Sequence, residues 1–142
     1  MKRNGSGTAY QQYQQVRVMS SRREGLVPLL YERLLVHLRR ASAQIEASDL
    51  EGKAESLGSA SEIVFELLSS LDFDAGGEIA SRLAGLYGFF SRELMEIGRT
   101  LDRERLARVI EMVASLHEEW AQAAAMAQPG ANGGTGDAGA GA

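Results

Sequence analysis

Apolar residues recur at every third or fourth position through four successive stretches of this chain, and the gaps between the stretches are short. Val27, Tyr31, Leu34, Leu38, Ala41 and Ile45 form the first stripe, and side chains at this spacing share one face of an α-helix. Leu50, Ala54, Leu57, Ser61, Val64, Leu68 and Leu71 follow with the near-heptad spacing of a bundle seam. Ile79, Leu83, Leu86, Phe90, Leu94 and Ile97 make a third stripe, and Leu106, Val109, Val113, Leu116, Trp120 and Ala124 a fourth. Short connections make consecutive helices antiparallel neighbours. The pattern predicts an all-α fold, an antiparallel four-helix bundle.

Tyr10 to Met19 shows only weak helical spacing, which predicts a short, loosely held N-terminal helix. Ser21-Arg22-Arg23-Glu24 reads as a capping box that opens the first long helix. Pro28 lies about two turns in, where it removes an N–H and crowds the Glu24 carbonyl, so a kink or a non-helical first turn is expected. Ser48-Asp49-Leu50-Glu51 reads as a second capping box. Asp74 is placed to cap the helix after Gly76-Gly77, with Glu78 at its positive end, and Thr100 or Asp102 caps the last helix. From Gln128 onward no apolar residue exceeds Ala in size, the composition of a disordered tail. The expected division is residues 1–20 as N-terminal segment, 21–127 as bundle domain and 128–142 as tail.

A hydrophobic fraction of 44% over 142 residues supports one globular core. The chain has no Cys, which excludes disulfides and thiolate chemistry and suits a reducing cytosol. No apolar run approaches the ~18 residues of a membrane span, and no apolar stretch follows the charged N-terminus as in a secretory leader. Net charge is −4, yet the front of the chain is basic: Lys2, Arg3, Arg17, Arg22, Arg23, Arg33, Arg39 and Arg40 stand against Glu24 and Glu32. With no aromatic residues interleaved and an acidic remainder, complementary faces of one bundle explain this better than nucleic-acid binding.

Chemistry is hard to build from what remains. His37 and His117 stand singly on different helical patterns without a metal-binding neighbour. Asp72, Asp74 and Glu78 lack the alternating ligands of a calcium loop, and Gly76-Gly77 lacks the preceding strand and following Lys-Ser/Thr of a phosphate loop. No Ser or Thr is paired with a His and an acid in a recognisable nucleophilic arrangement. No enzyme, metal or cofactor is expected. More telling are apolar residues off the seams: Leu26, Leu29, Leu30, Leu35 and Val36, then Ile63, Phe65 and Leu67, then Tyr87 and Phe89. Such widened arcs serve either central helices with several neighbours or an outer groove for a partner's amphipathic helix.

The segments Ala9-Tyr10-Gln11-Gln12 or the following Tyr13-Gln14-Gln15, Val18 to Ser21, Leu26 to Arg33, Asp49 to Leu67, Leu71 to Tyr87 and Leu116-His117-Glu118-Glu119-Trp120 occur in an order and spacing similar to those of the flagellar secretion chaperones. The similarity runs from about Ala9 to Ala123. It departs at Pro28, since the family pattern has its Pro just before this helix, near Arg23 here. The resemblance implies a cytoplasmic export chaperone. It would bind the disordered C-terminal segment of flagellin, prevent premature polymerisation and assist delivery to the flagellar type III export apparatus. The export gate and a co-chaperone or regulator would be further partners. Leu26, Leu30, Ile63, Leu67, Ile79, Leu83 and Tyr87 are the expected groove residues, and Tyr10 and Tyr13 an expected lid over that groove. Two other classes fit a helical bundle: an adaptor for another export substrate or regulator, and a histidine phosphotransfer domain, loosely echoed by Val36-His37-Leu38-Arg39-Arg40-Ala41-Ser42.

Overall fold

The helix boundaries in the computed structural model, which describes residues 26–127, follow from backbone groups that need partners. The expected N-terminal helix, the Ser21–Glu24 capping box and the Gly-rich tail lie outside the described residues. Helix α1 runs Leu26–Glu46, α2 Leu50–Ser69, α3 Phe73–Thr100 and α4 Arg103–Ala127. Pro28 lies in the first described turn of α1, and the turn before it, where the kink or non-helical start is expected, lies outside the described residues.

The α1–α2 turn departs from the capping-box expectation. Ser48 adopts the left-handed conformation at φ 59°. Its N–H bonds the Ile45 carbonyl (3.1 Å) and that of Asp49 bonds the Gln44 carbonyl (2.8 Å), the bond pair of a Schellman motif. With Ser48 closing α1, Asp49 becomes the N-cap of α2 and accepts from the Gly52 amide at 3.0 Å. Gly52 leaves room there for the Asp49 carboxylate and the Gln44 amide, which a Cβ would displace from these positions. Turned to satisfy its surroundings, that amide donates to the Gly52 carbonyl (2.9 Å) and the Ser56 hydroxyl (2.7 Å), joining the ends of α1 and α2.

Asp72, not Asp74, caps α3, accepting from the Ala75 amide at 3.1 Å. A single turn, Phe73 to Gly76, then meets a break at Gly77 (φ 53°, ψ −126°), a conformation that side chains with a Cβ resist, before the helix resumes. The sequence pattern located the junction but put the first turn too late. At the far end Leu101 is left-handed (φ 61°) and its N–H bonds the Ile97 carbonyl at 2.8 Å. Asp102 then caps α4 through the Arg105 amide (3.1 Å). Thr100 is excluded as cap because its hydroxyl is committed to the Glu96 carbonyl (2.9 Å).

The four antiparallel helices form a ring in which α1 packs on α2 and α4, and α3 packs on α2 and α4. The α1–α2 interface is the most extensive and the α3–α4 interface the sparsest. Among the described residues no strand occurs. Leu34, Leu38, Val64, Leu67, Phe90, Ile97, Leu106 and Val113 fill the interior. Each fully buried aliphatic or Phe side chain contributes about 1.5–3 kcal/mol. Ion pairs tie the rim, among them Arg105–Glu93 at 2.8 Å between α3 and α4 and Arg103–Glu46 at 3.4 Å between α4 and α1.

Two of the three positive-φ positions, Ser48 and Gly77, should respond in opposite directions. Ser48→Gly relieves the left-handed strain at an exposed turn, and urea denaturation should show stabilisation of about 0.5–1 kcal/mol. Gly77→Ala introduces strain and should destabilise by about 1–3 kcal/mol. An unchanged midpoint for both would contradict the described turn geometries.

Candidate partner-binding site

The two Leu-Tyr pairs of the sequence meet inside the bundle. Tyr31 on α1 and Tyr87 on α3 are fully buried, and their hydroxyl oxygens lie 2.6 Å apart across a diagonal where the two backbones do not approach. Trp120 on α4 donates its Nε1–H to the Tyr31 oxygen at 3.0 Å. The Trp120 and His117 rings both lie 6.3 Å from the Tyr31 ring, centroid to centroid, in tilted arrangements. One oxygen atom thus links three helices. Either hydroxyl can donate in the Tyr31–Tyr87 bond.

Burial disfavours phenolate at both positions. It pushes the Tyr31 hydroxyl up to about 12, and pushes Tyr87 up as well, where a neighbouring Tyr31 phenolate would add repulsion. The two phenols therefore act as neutral hydrogen-bonding groups.

This arrangement redistributes the expected groove residues. Leu30, Ile63, Leu67, Leu83 and Tyr87 face the interior and belong to the core, whereas Leu26 and Ile79 are half-buried at its edge. All seven come from the half of the bundle where α1 begins, α2 ends and the main part of α3 begins. Their side chains point inward because the ring of helices has to close over its own core. Tyr10 and Tyr13 lie outside the described residues. Of the off-seam residues, Leu29, Val36 and Phe65 are exposed, while Leu35 is core and Phe89 half-buried.

The accessible apolar surface includes a shallow groove of about 350 Å³ on the sparse α3–α4 side, lined by Leu86, Glu111, Met112, Ser115 and Leu116. Leu86 and Leu116 were legible as seam residues. Met112 was missed. It lies beside the Val109–Val113–Leu116 stripe, so its apolar side chain widens the arc of α4 as Phe89 widens that of α3.

Among the described residues no group of His, Asp or Glu is arranged to hold a metal ion, and no helix is long and apolar enough to cross a membrane. His117 lies 3.6 Å from Glu32. His37 has a buried Nδ1 without a hydrogen-bond partner, and burial, then the charges of Arg40 and Arg33, lower its pKa. A neutral ring with one nitrogen walled in suits packing better than phosphotransfer.

A sequence profile described as flagellar protein FliS matches residues 6–127. The chain belongs to the FliS family. It is 30% identical over 112 residues to the flagellar secretion chaperone FliS of Campylobacter jejuni, covering 79% of this chain and 88% of the relative. The Salmonella typhimurium FliS is 31% identical over 106 residues, 74% and 78% of the two chains. For the Bacillus subtilis FliS the figures are 31% over 114 residues, 80% and 84%. FliS is a family of chaperones, not of enzymes. In this FliS chain, Tyr31, Tyr87 and Trp120 are accordingly read as architecture.

Tyr31→Phe strands both the Trp120 N–H and the Tyr87 hydroxyl and should cost about 2–3 kcal/mol, against about 1 kcal/mol for Tyr87→Phe. The pH dependence follows from the raised pKa. The folded value of about 12 exceeds the unfolded value of about 10, so the stabilisation is complete below pH ~10 and is lost as pH rises towards 12. In a chain with Tyr10 and Tyr13 replaced by Phe, tyrosinate absorbance should appear together with loss of helical circular dichroism. Tyrosinate forming while the helices persist would contradict the buried pair.

Proposed function

We infer that this chain is a cytoplasmic export chaperone for flagellin. It holds the disordered C-terminal segment of flagellin, prevents its premature polymerisation and assists its delivery to the flagellar type III export apparatus. The export gate and a co-chaperone or regulator complete the set of partners. Family membership supports the class of activity. The observation that carries the mode is the apolar groove beside the sparse α3–α4 interface, where Leu86, Met112 and Leu116 are accessible together.

A disordered segment with amphipathic helical pattern gains apolar burial by ordering on such a surface, and the ordering offsets part of the gain. Binding is thus masking. While the flagellin helix lies on the chaperone, its apolar face is withheld from other flagellins. In this reading Leu26 and Ile79, half-buried at the edge of the core, touch the partner as well. Leu30, Ile63, Leu67, Leu83 and Tyr87 act from the core by holding the helices in place. Tyr10 and Tyr13 act as a lid that rests on the same apolar surface and is displaced by flagellin.

Co-purification with flagellin, and with the same flagellin lacking its C-terminal helical segment, tests the function. Only the complete flagellin should be retained; equal retention of both, or of neither, would falsify the reading, and retention of a different export substrate would favour an adaptor. Deleting the residues before Val16 tests the lid. Calorimetry should show tighter flagellin binding, because the competing segment no longer has to be displaced. Unchanged affinity together with unchanged solubility discards it.

A further inference from the structure

Helix α1 carries a second surface whose chemistry differs from that of the flagellin groove. Leu29, Arg33, Val36 and Arg40 follow one another at intervals of four, three and four residues, and so form one outward stripe about 16 Å long. Leu29 is 52% and Val36 49% exposed, large values for aliphatic side chains on a rigid helix. Arg39 flanks them. The two carboxylates of α1 are engaged elsewhere: Glu46 pairs with Arg103 at 3.4 Å and Glu32 lies 3.6 Å from His117, both on α4. Among the described residues Arg82, Arg99, Arg103 and Arg105 have acidic partners. Arg92 and Arg108 stand without one, singly on α3 and α4, whereas Arg33, Arg39 and Arg40 stand without one together on α1. An acidic chain with a net charge of −4 thus presents a basic, partly apolar stripe.

We propose that the Leu29–Arg33–Val36–Arg40 face of α1 docks an acidic amphipathic helix of a partner protein, separately from flagellin. Apolar side chains seven residues apart match the knobs of one partner helix, and guanidinium forks at Arg33 and Arg40 donate to carboxylates on the flanks of that helix. The chain's own N-terminal segment is a poor occupant, because Lys2, Arg3, Arg17, Arg22 and Arg23 stand there against Glu24 alone. Nucleic acid would leave Leu29 and Val36 without a role and would meet the net negative charge of the molecule.

The probe is a synthetic helical peptide with Leu at i and i+7 and Glu at i+3 and i+4, compared with its Gln counterpart by calorimetry on the full chain. The Glu peptide should bind, and its affinity should fall about tenfold or more in R33E/R40E and also fall with added salt. The Gln peptide should bind more weakly. Helical circular dichroism and the melting temperature control for folding, and R33Q/R40Q replaces the reversal variant if that one does not fold. Equal binding to wild type and to the variant overturns the proposal, as does no binding of the Glu peptide. Three further outcomes would also sink it. Displacement of the peptide by the flagellin C-terminal segment would make this surface part of the flagellin groove. Self-association abolished by R33E/R40E would assign it to a second copy of the chain. Arginine-dependent capture by phosphatidylserine vesicles, in preference to the peptide, would assign it to a lipid surface. Retention of flagellin does not enter the main comparison, so the two readings stand or fall apart.

Discussion

The Tyr31 hydroxyl oxygen is the point on which this bundle is organised. It receives the Trp120 N–H and shares a short hydrogen bond with Tyr87, so α1, α3 and α4 meet at one buried polar atom. A core of Leu and Val alone tolerates small rotations and slips of its helices, because dispersion contacts are not directional. Three polar groups buried together do not, since any slip strands a donor or acceptor away from water. The diagonal bond also joins two helices whose backbones never approach, which fixes the width of the ring.

That fixed interior shapes what the outside can do. With Leu30, Ile63, Leu67, Leu83 and Tyr87 committed to the core, the apolar side chains left accessible where α3 and α4 part are those of Leu86, Met112 and Leu116. The groove is shallow because its floor is the packed core.

Much of the fold was legible because helical periodicity reports the buried face directly. The stripes of Val27 to Ile45 and Ile79 to Ile97 coincide with core residues, and Trp120 continues its stripe into the interior. Caps were harder, because Ser48, Asp49, Asp72, Asp74, Thr100 and Asp102 all have suitable side chains and only backbone geometry chooses among them. Ser48 took the left-handed position, which left Asp49 to cap. Thr100 turned back on its own helix, which left Asp102. The groove was least legible. Widened apolar arcs on Leu30, Ile63 and Leu67 served neighbouring helices, whereas exposure at Met112 depends on how far α3 and α4 stand apart, a tertiary quantity that periodicity does not contain.

The ring arrangement bears on how the chain reaches its native state. Three of its four interfaces join helices adjacent in sequence, and such local contacts close quickly. The fourth, α1 against α4, joins the two ends of the described chain. The Trp120–Tyr31 bond spans 89 positions and belongs to that closure. Trp120 lies on the last helix to be synthesised, so of the groups around the Tyr31 oxygen the indole donor is the last to become available. The atom that organises the finished bundle also joins its first helix to its last.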